Sequence, residues 1–214
     1  MTEGPGPTGW WRRIEAGGGV LLRELSPGDD AGVLSVHGDP RVYTLDPAER
    51  HRDLEHSRRF IAPMVDHWRK HGFGYWAVLA PAGWWPEGVP GGEESDGPRV
   101  HAGLGGVHHH AIGGEPVLNV YFRFAPAVQG RGLARLVLAE AVRMAPSVAP
   151  GVDIVVRTRP ANVAARRAAE RAGFVDEGLE PGTSDMQLLR LAAPRHAVSA
   201  AQRISGARRP SARG

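Results

Sequence analysis

The chain has 214 residues, 42% of them hydrophobic, and no long apolar run, which predicts one sizeable core and no membrane span. Cysteine is absent, so disulfides, thiolate zinc sites, a thiol nucleophile and an acyl-cysteine intermediate are excluded. Lys70 is the only lysine, and we therefore do not expect a Schiff-base mechanism.

The basic charge is concentrated at the end of the chain. Of 26 basic residues, five lie in residues 195–214, a segment without acids, which leaves 21 bases against 23 acids in the rest. The Pro, Ser, Gly and Ala content of this segment predicts a basic, disordered tail. We expect the tail to be solvated, and any contact with nucleic acid to occur only through it.

Residues 1–19 are rich in Gly and Pro and lack the continuous apolar segment of a secretion signal. They predict a flexible leader, although Trp10 and Trp11 are able to dock on the body. A cytoplasmic location is compatible with this composition and with the absence of cysteine. The folded domain is then expected to span residues 20–194.

The first half of this domain predicts two strands, two helices and an insertion. Residues 20–25 form a strand, a helix capped by 26–30 runs to about 36, and 49–71 form a long helix that Pro63 should kink or divide. Residues 72–80 form the second strand. Residues 81–98 are dense in Gly, Pro and acids and predict a hairpin insertion, whose Trp84 and Trp85 either fold back on the body or form a lid.

The second half alternates strands and helices. Further strands are predicted over 99–107, 117–125, 152–157, 174–177 and 184–191, with helices over the apolar-periodic run 136–144 and over 162–173. Between the strand at 117–125 and the next helix lies a glycine-rich turn. Gly130 and Gly132 let main-chain N–H groups approach a ligand at a helix start, where the helix dipole favours an anion. This loop predicts a diphosphate cradle, to which Arg131 and Arg135 add charge.

Two other phosphate-binding loops do not fit this segment. A nucleoside-triphosphatase loop requires a Lys followed by Ser or Thr, and neither is present. A dinucleotide fingerprint requires a third glycine where Arg135 stands, and Asp153 begins a strand instead of ending one. The pattern Gln129-x-x-Gly132-x-Ala134 resembles the pyrophosphate loop of the GCN5-related N-acetyltransferase (GNAT) superfamily.

A second motif supports this resemblance. Asn162 opens a helix that ends in Ala172-Gly173-Phe174, similar to the Asn and Leu-Gly-Phe that begin and end a helix in that superfamily. The stretch His-Gly-Phe-Gly-Tyr-Trp-Ala-Val at 71–78 resembles the RimJ/RimL-type branch, in which paired early helices wall the acceptor cleft. The resemblance covers about residues 20–191.

The resemblance implies an α/β fold with a mixed, mostly antiparallel sheet of about seven strands, about four helices, and splayed fourth and fifth strands. It implies acetyl-CoA as cosubstrate, no metal, and a small-molecule amine or protein N-terminus as acceptor, and it leaves a homodimer open. The implied cofactor-binding residues are Phe124, Ala125, Gln129, Gly130, Arg131, Gly132, Leu133, Ala134, Arg135 and Asn162. The backbone N–H of Phe124 would also stabilise the oxyanion.

The family's acid and base positions are not matched. The position of a tyrosine found in many relatives is Ala169, and a carboxylate often found at the start of the fourth strand is replaced by Asn119. His108 and His110, on one face of a strand end, are candidate bases, and Tyr121 is a candidate proton donor to the thiolate. The alternatives are a solvated strand end or adventitious metal binding for the histidines, and a packed strand aromatic for Tyr121.

No metal site is predicted from the histidines. His67 and His71 are spaced i, i+4 on a helix but have no third ligand nearby in the sequence. The sequence thus predicts an acetyl-CoA-dependent N-acetyltransferase that transfers the acyl group by direct attack in a ternary complex. The alternative is a catalytically silent acyl-CoA-binding protein.

Overall fold

The computed structural model describes residues 9–85, 93–94 and 97–193. The strands in this part of the chain are β1 Arg13–Glu15, β2 Leu21–Glu24, β3 Tyr75–Pro81, β4 Glu93–Glu94, β5 Gly97–Ile112, β6 Glu115–Phe124, β7 Ile154–Thr158, β8 Val175–Leu179 and β9 Gln187–Leu191. The α-helices are α1 Asp30–His37, α2 Leu54–His71, α3 Leu133–Val148 and α4 Val163–Arg171. None of these helices has the length and apolar character that crossing a bilayer requires.

The strands form one sheet in the order β1-β2-β3-β5-β6-β7-β9-β8, with the short β4 paired to β5. Every pairing is antiparallel except that of β6 with β7. The predicted mixed, mostly antiparallel sheet with four helices is therefore confirmed. The predicted number of seven strands was too low by two, because β1 and β4 were not recognised.

Helices cover both faces of the sheet. A Cβ on Gly105 would lie 2.7 Å from Val137, so this glycine allows α3 to pack directly on β5. On the opposite face, a Cβ on Gly32 of α1 would lie 2.6 Å from His101 of the same strand. The central strands are thereby buried on both sides, as shown by the fully buried Leu104 and Val107.

Two tryptophan indoles attach the start of the described chain to the body, and a third joins α2 to β3. The Trp11 indole donates to the Gly72 carbonyl at 2.9 Å, and the buried Trp76 indole donates to the Trp11 carbonyl at 2.7 Å. The Trp68 indole, also buried, donates to Tyr75 at 2.7 Å. A buried indole N–H needs such a partner. Residues 9–19 therefore belong to the fold, whereas the sequence analysis placed them in a leader; residues 1–8 lie outside the described part.

Helix α2 runs through Pro63 without division, which excludes one of the two predicted outcomes, a kink or a division. Its Asp53 cap accepts from the His56 N–H at 2.7 Å, and Gly72, with φ of 73°, ends it. Pro63 is exposed. The carbonyl of Arg59 that loses its donor can therefore be hydrated, which makes the proline tolerable inside the helix.

Strand β5 extends five residues beyond its predicted end at 107. The β5–β6 hairpin turns at Gly113 and Gly114, whose φ values of 58° and 86° fit a two-residue turn with both residues left-handed. His108, His109 and His110 thus lie inside a paired ladder, opposite Asn119, Leu118 and Val117, and are not a strand end as predicted.

Trp84 and Trp85, at the start of the predicted insertion, pack on the core, which is the fold-back arrangement. Most of the insertion, and residues 195–214, lie outside the described residues.

Candidate functional site

Strands β6 and β7 separate partway along their length, as predicted. Their pairing ends at Val120 with Val156. Beyond that point β6 continues to Phe124, while β7 continues to Thr158 paired only with β9. The last four residues of β6 therefore present a free edge toward the gap between the two strands.

The direction of the main-chain groups along this edge follows from two observed bonds. The Leu118 N–H donates toward β7, to Asp153 at 2.9 Å, and the Ala125 N–H donates toward β5, to Ala102 at 2.9 Å. Alternation then directs the N–H and carbonyl groups of Phe122 and Phe124 into the gap. An extended ligand can add to these groups as a strand would.

The predicted role of Ala125 in cofactor binding needs correction. Its N–H is bonded to Ala102, and its carbonyl accepts from the Val128 N–H at 3.1 Å. Both main-chain groups of Ala125 are thus occupied, because the chain turns away from β5 there. The free pair lies at Phe122, two residues before Phe124, and the sequence analysis did not include it.

The free edge leads directly into the predicted cradle. Gly130 and Gly132 have φ values of 77° and 84°, and a Cβ at either position would meet nothing within 4 Å. Positive φ favours glycine, and the open space leaves room for a ligand. Gly132 caps α3 without any side-chain hydrogen bond. The first N–H groups of this 16-residue helix, at Leu133, Ala134 and Arg135, therefore face the open loop.

The polar side chains around this loop are on its surface. Arg135, Gln129 and Arg131 are exposed, and the Arg131 guanidinium lies 5.1 Å from the centroid of the Trp84 ring. The Gln129 side chain lies near the Phe124 carbonyl, at 3.5 Å. Arg131 also donates a long hydrogen bond of 3.4 Å to the Trp84 carbonyl. An arginine held at the surface by one ring contact and one long hydrogen bond can turn to an anion at small cost.

Asn162, predicted to touch the cofactor, caps α4. Its Oδ1 accepts from the Ala165 N–H at 3.2 Å. Ala169, which stands where many relatives have a tyrosine, is completely buried. No phenol therefore projects from this helix position into the gap.

Polar side chains gather on one face of β3, β5 and β6, the cleft face. Gly106 lies opposite both Tyr75 and Tyr121 in the ladder, and His108 lies opposite Asn119. With no side chain on Gly106 to separate them, the rings of Tyr75 and Tyr121 lie 5.2 Å apart, and those of Tyr75 and His108 lie 5.6 Å apart. The structure thus brings Asn119, Tyr121 and His108 together on one face of the sheet.

Asn119 is in an unusual state for a buried amide. Its Oδ1 is buried and has no hydrogen-bond partner among the described residues. A hydrogen bond from Asn119 to Tyr75 opposes the effect of burial, which raises the Tyr75 pKa to about 12. An unpaired buried acceptor costs about 1–3 kcal/mol, so Asn119 is poised to accept from an N–H group of a ligand.

The electrostatics of the cleft limit what each group can do. Burial raises the pKa of Tyr121 above its ordinary value. A free thiol has a pKa of about 8.5, so transfer of the Tyr121 proton to a thiolate is uphill, and hydrogen-bond donation is its better role. Burial and then the nearby Arg157 lower the pKa of His110, which keeps this imidazole neutral at pH 7.

Arg123 is a cation in the cleft that sequence reasoning missed. Its guanidinium lies 3.9 Å from the Tyr43 ring centroid and 6.0 Å from that of Tyr121. In the described part of the chain no carboxylate forms a salt bridge with it. The neighbouring Arg157, by contrast, donates to the buried Glu180 at 2.5 Å. The alternation of residues 119, 121 and 123 along one strand was the signal that could have identified Arg123.

The comparison with known families decides the classification. The family model described as "Acetyltransferase (GNAT) domain" matches residues 20–175. The chain belongs to the GNAT acetyltransferase family. No curated protein sequence matched this GNAT domain.

Solved structures agree with the GNAT fold. A GNAT-family acetyltransferase from Bordetella pertussis, described as putative in its own record, has a TM-score of 0.63 and 16% identity, covering 84% of this chain and 99% of its own. The ribosomal α-N-protein acetyltransferase RimL, in complex with coenzyme A, has a TM-score of 0.61 and 14% identity, covering 84% and 97%. The protein yncA from Salmonella typhimurium, also described as a putative acetyltransferase and solved with acetyl-CoA, has a TM-score of 0.56 and 17% identity, covering 83% and 96%.

Proposed function

We propose that this GNAT protein is an acetyl-CoA-dependent N-acetyltransferase of the RimJ/RimL-like branch that transfers the acyl group directly to a primary amine in a ternary complex. The observation that carries the proposal is the continuity of two main-chain features. The free edge of β6 at Phe122 and Phe124 leads into the open, side-chain-free loop at the start of α3. A ligand with an extended amide arm and a diphosphate fits both features at once.

The donor side is assigned to named groups. The diphosphate is held by the N–H groups from Gly130 to Arg135, with Arg131 and Arg135 adding charge. The Phe124 N–H supports the oxyanion that forms at the thioester carbonyl. Gln129 and Asn162 flank the loop and the gap.

The acceptor side is assigned to the cleft face of β6. Asn119 lies five residues before Phe124, about 16 Å along the extended strand, so we assign it to the body of the acceptor and not to the reacting nitrogen. Its Oδ1 accepts an N–H of the acceptor once neighbouring side chains move to expose it. The neutral His110, with His108 as the second candidate, takes up the proton of an ammonium acceptor. Tyr121 donates a hydrogen bond to the leaving sulfur, and water carries the proton.

Arg123 sets a charge preference for the acceptor. A guanidinium without an acidic partner repels polycations and attracts an anionic group close to the amine. An amine that carries a nearby carboxylate or acidic peptide segment fits this cleft better than a polyamine.

The proposal is tested by thiol release from acetyl-CoA with three amines of matched size. They are a polyamine, a monoamine with no other charged group, and a monoamine that carries a carboxylate. We expect release with the last two and the fastest turnover with the last. Arg123→Gln should remove the preference for the carboxylate, and Arg123→Lys should retain much of it. Binding of coenzyme A without thiol release for any amine would instead support the silent acyl-CoA-binding alternative.

A further inference from the structure

A histidine cluster lies where α2 ends beside β5, away from the cradle. His67 and His71 occupy successive turns of α2, and His109 comes from β5 beyond Gly106, the last residue of that strand paired with β3 at this end. One nitrogen of each ring lies within 4.8 Å of one nitrogen of the other two. The third histidine that the sequence spacing lacks is therefore supplied by a residue 42 positions from His67.

The geometry of the His67–His109 pair matches that of two ligands on one ion. The His67 Nε2 and His109 Nδ1 atoms are 3.2 Å apart. Tetrahedral zinc with bonds of 2.0–2.1 Å separates two nitrogen ligands by about 3.3–3.4 Å. His71 is exposed at the last position of α2, so its side chain can rotate to complete the set.

Other groups already orient the ligand atoms. His67 Nδ1 is 2.8 Å from the Phe73 carbonyl, which places the proton on Nδ1 and leaves the Nε2 lone pair toward the cluster. A ligating histidine is commonly held by such a carbonyl. The His108 ring, 3.7 Å from that of His67 and inclined by 30°, restricts the His67 ring plane.

We propose that His67, His71 and His109 form a binding site for a divalent transition-metal ion of the zinc type, with the fourth position open to water. Imidazole nitrogen suits zinc, copper and nickel better than magnesium or calcium. The ion replaces the contact of 3.3 Å between the His109 N–H and His67 Nε2. It cross-links the end of α2 to β5 where β3 no longer joins them. Lys70, whose charge acts on His71 and His109, opposes the binding of a cation, so the three imidazoles must outweigh this repulsion.

The test uses full-length protein without an affinity tag, stripped of metal and titrated with zinc chloride by calorimetry. We expect one zinc ion per chain, and a higher melting temperature with zinc. His71→Ala and His109→Ala, which change exposed side chains, should each weaken zinc binding about 10–100-fold or more. His110→Ala, on the same strand but on the other face, is the matched control and should change the affinity less than about twofold. Cobalt should give the visible absorption of a tetrahedral site, which the His109→Ala protein should lose.

These measurements distinguish a specific zinc site from nonspecific binding of zinc to surface histidines. Zinc affinity that is unchanged in both His71→Ala and His109→Ala would overturn the proposal, provided circular dichroism shows both proteins folded. So would the absence of stoichiometric binding by the unaltered protein at micromolar zinc. Equal weakening in all three variants would assign the heat to nonspecific histidine binding and would also overturn it.

Discussion

The two sides of the candidate site use different groups: main-chain groups on the donor side and side chains on the acceptor side. On the donor side, the gap edge and the loop before α3 present main-chain N–H groups, and a Cβ on Gly130 or Gly132 would meet only open space. On the acceptor side, the cleft face presents side chains: an unpaired amide oxygen on Asn119, two phenols with raised pKa, and the Arg123 guanidinium.

This difference explains how one fold can serve many acceptors. Main-chain groups keep their positions whatever the side chains are, so the donor side can be shared across a family. The acceptor side changes with every substitution on β6. We therefore expect changes in the loop to affect coenzyme A affinity for every amine, and changes on the cleft face to affect amine turnover alone.

The largest effect should come from filling the cradle. Gly132→Trp places a bulky ring where the diphosphate must approach. It should lower coenzyme A affinity at least about 100-fold, because several main-chain hydrogen bonds to an anion are lost. Calorimetry with coenzyme A measures this directly.

Gly114→Trp is the matched control for this change. Its φ of 86° is close to the 84° of Gly132, and a Cβ there would also meet nothing within 4 Å. Both variants carry the same left-handed strain of about 1–2 kcal/mol, but Gly114 lies at the other end of β6. Equal losses of affinity in the two variants would assign the effect to strain and would contradict the cradle.

A smaller and more selective effect is expected at Asn119. Asn119→Leu removes a buried acceptor without a partner, which stabilises, and also the hydrogen bond to the buried Tyr75, which destabilises. The two effects oppose each other, so the free energy of unfolding should change by less than about 1–3 kcal/mol. Amine turnover should fall about 10–100-fold, because that factor corresponds to the free energy of one hydrogen bond to a charged group. The affinity for coenzyme A should be unchanged. Steady-state kinetics and thermal melts measure the two quantities. Lower stability with unchanged turnover would assign Asn119 to structure.

The last effect concerns acid stability around His51, whose ring centroid lies 6.4 Å from that of Tyr43. Burial lowers the pKa of His51 from 6.5 to about 4, so the unfolded chain binds a proton there that the folded chain does not. Stability from this neutral histidine is present above pH 6.5 and is lost as the pH falls toward 4. His51→Gln should make the decline between these values shallower by up to about 1.4 kcal/mol per pH unit. Urea unfolding at several pH values checks this, and identical slopes would refute it.

The sequence was informative where local chemistry decides the structure. Gly130 and Gly132 were predicted in a turn before a helix, and both have the left-handed φ that such a turn requires. The alternation of His108 and His110 against His109 was also confirmed by the ladder register. Periodicity and glycine preference act over a few residues, and a sequence displays them directly.

Contacts between distant segments were not predictable in this way. Ala125 looked available for pairing, but its N–H is used by Ala102, 23 positions earlier in the chain. The joining of His109 to α2 and the placement of Arg123 on Tyr43 likewise depend on which strands and helices become neighbours. Gly113 and Gly114 carry a hairpin signal that the sequence analysis did not use, and its strand therefore ended five residues before the end of β5.

The most direct test of the account is amide hydrogen exchange of the full-length protein with and without saturating coenzyme A, resolved to single residues by NMR. The account predicts slower exchange at Phe122 and Phe124 and from Gly130 to Arg135, and little change at Tyr121, whose N–H faces β5. Unchanged exchange at these positions under saturation, or protection confined to other parts of the molecule, would contradict it.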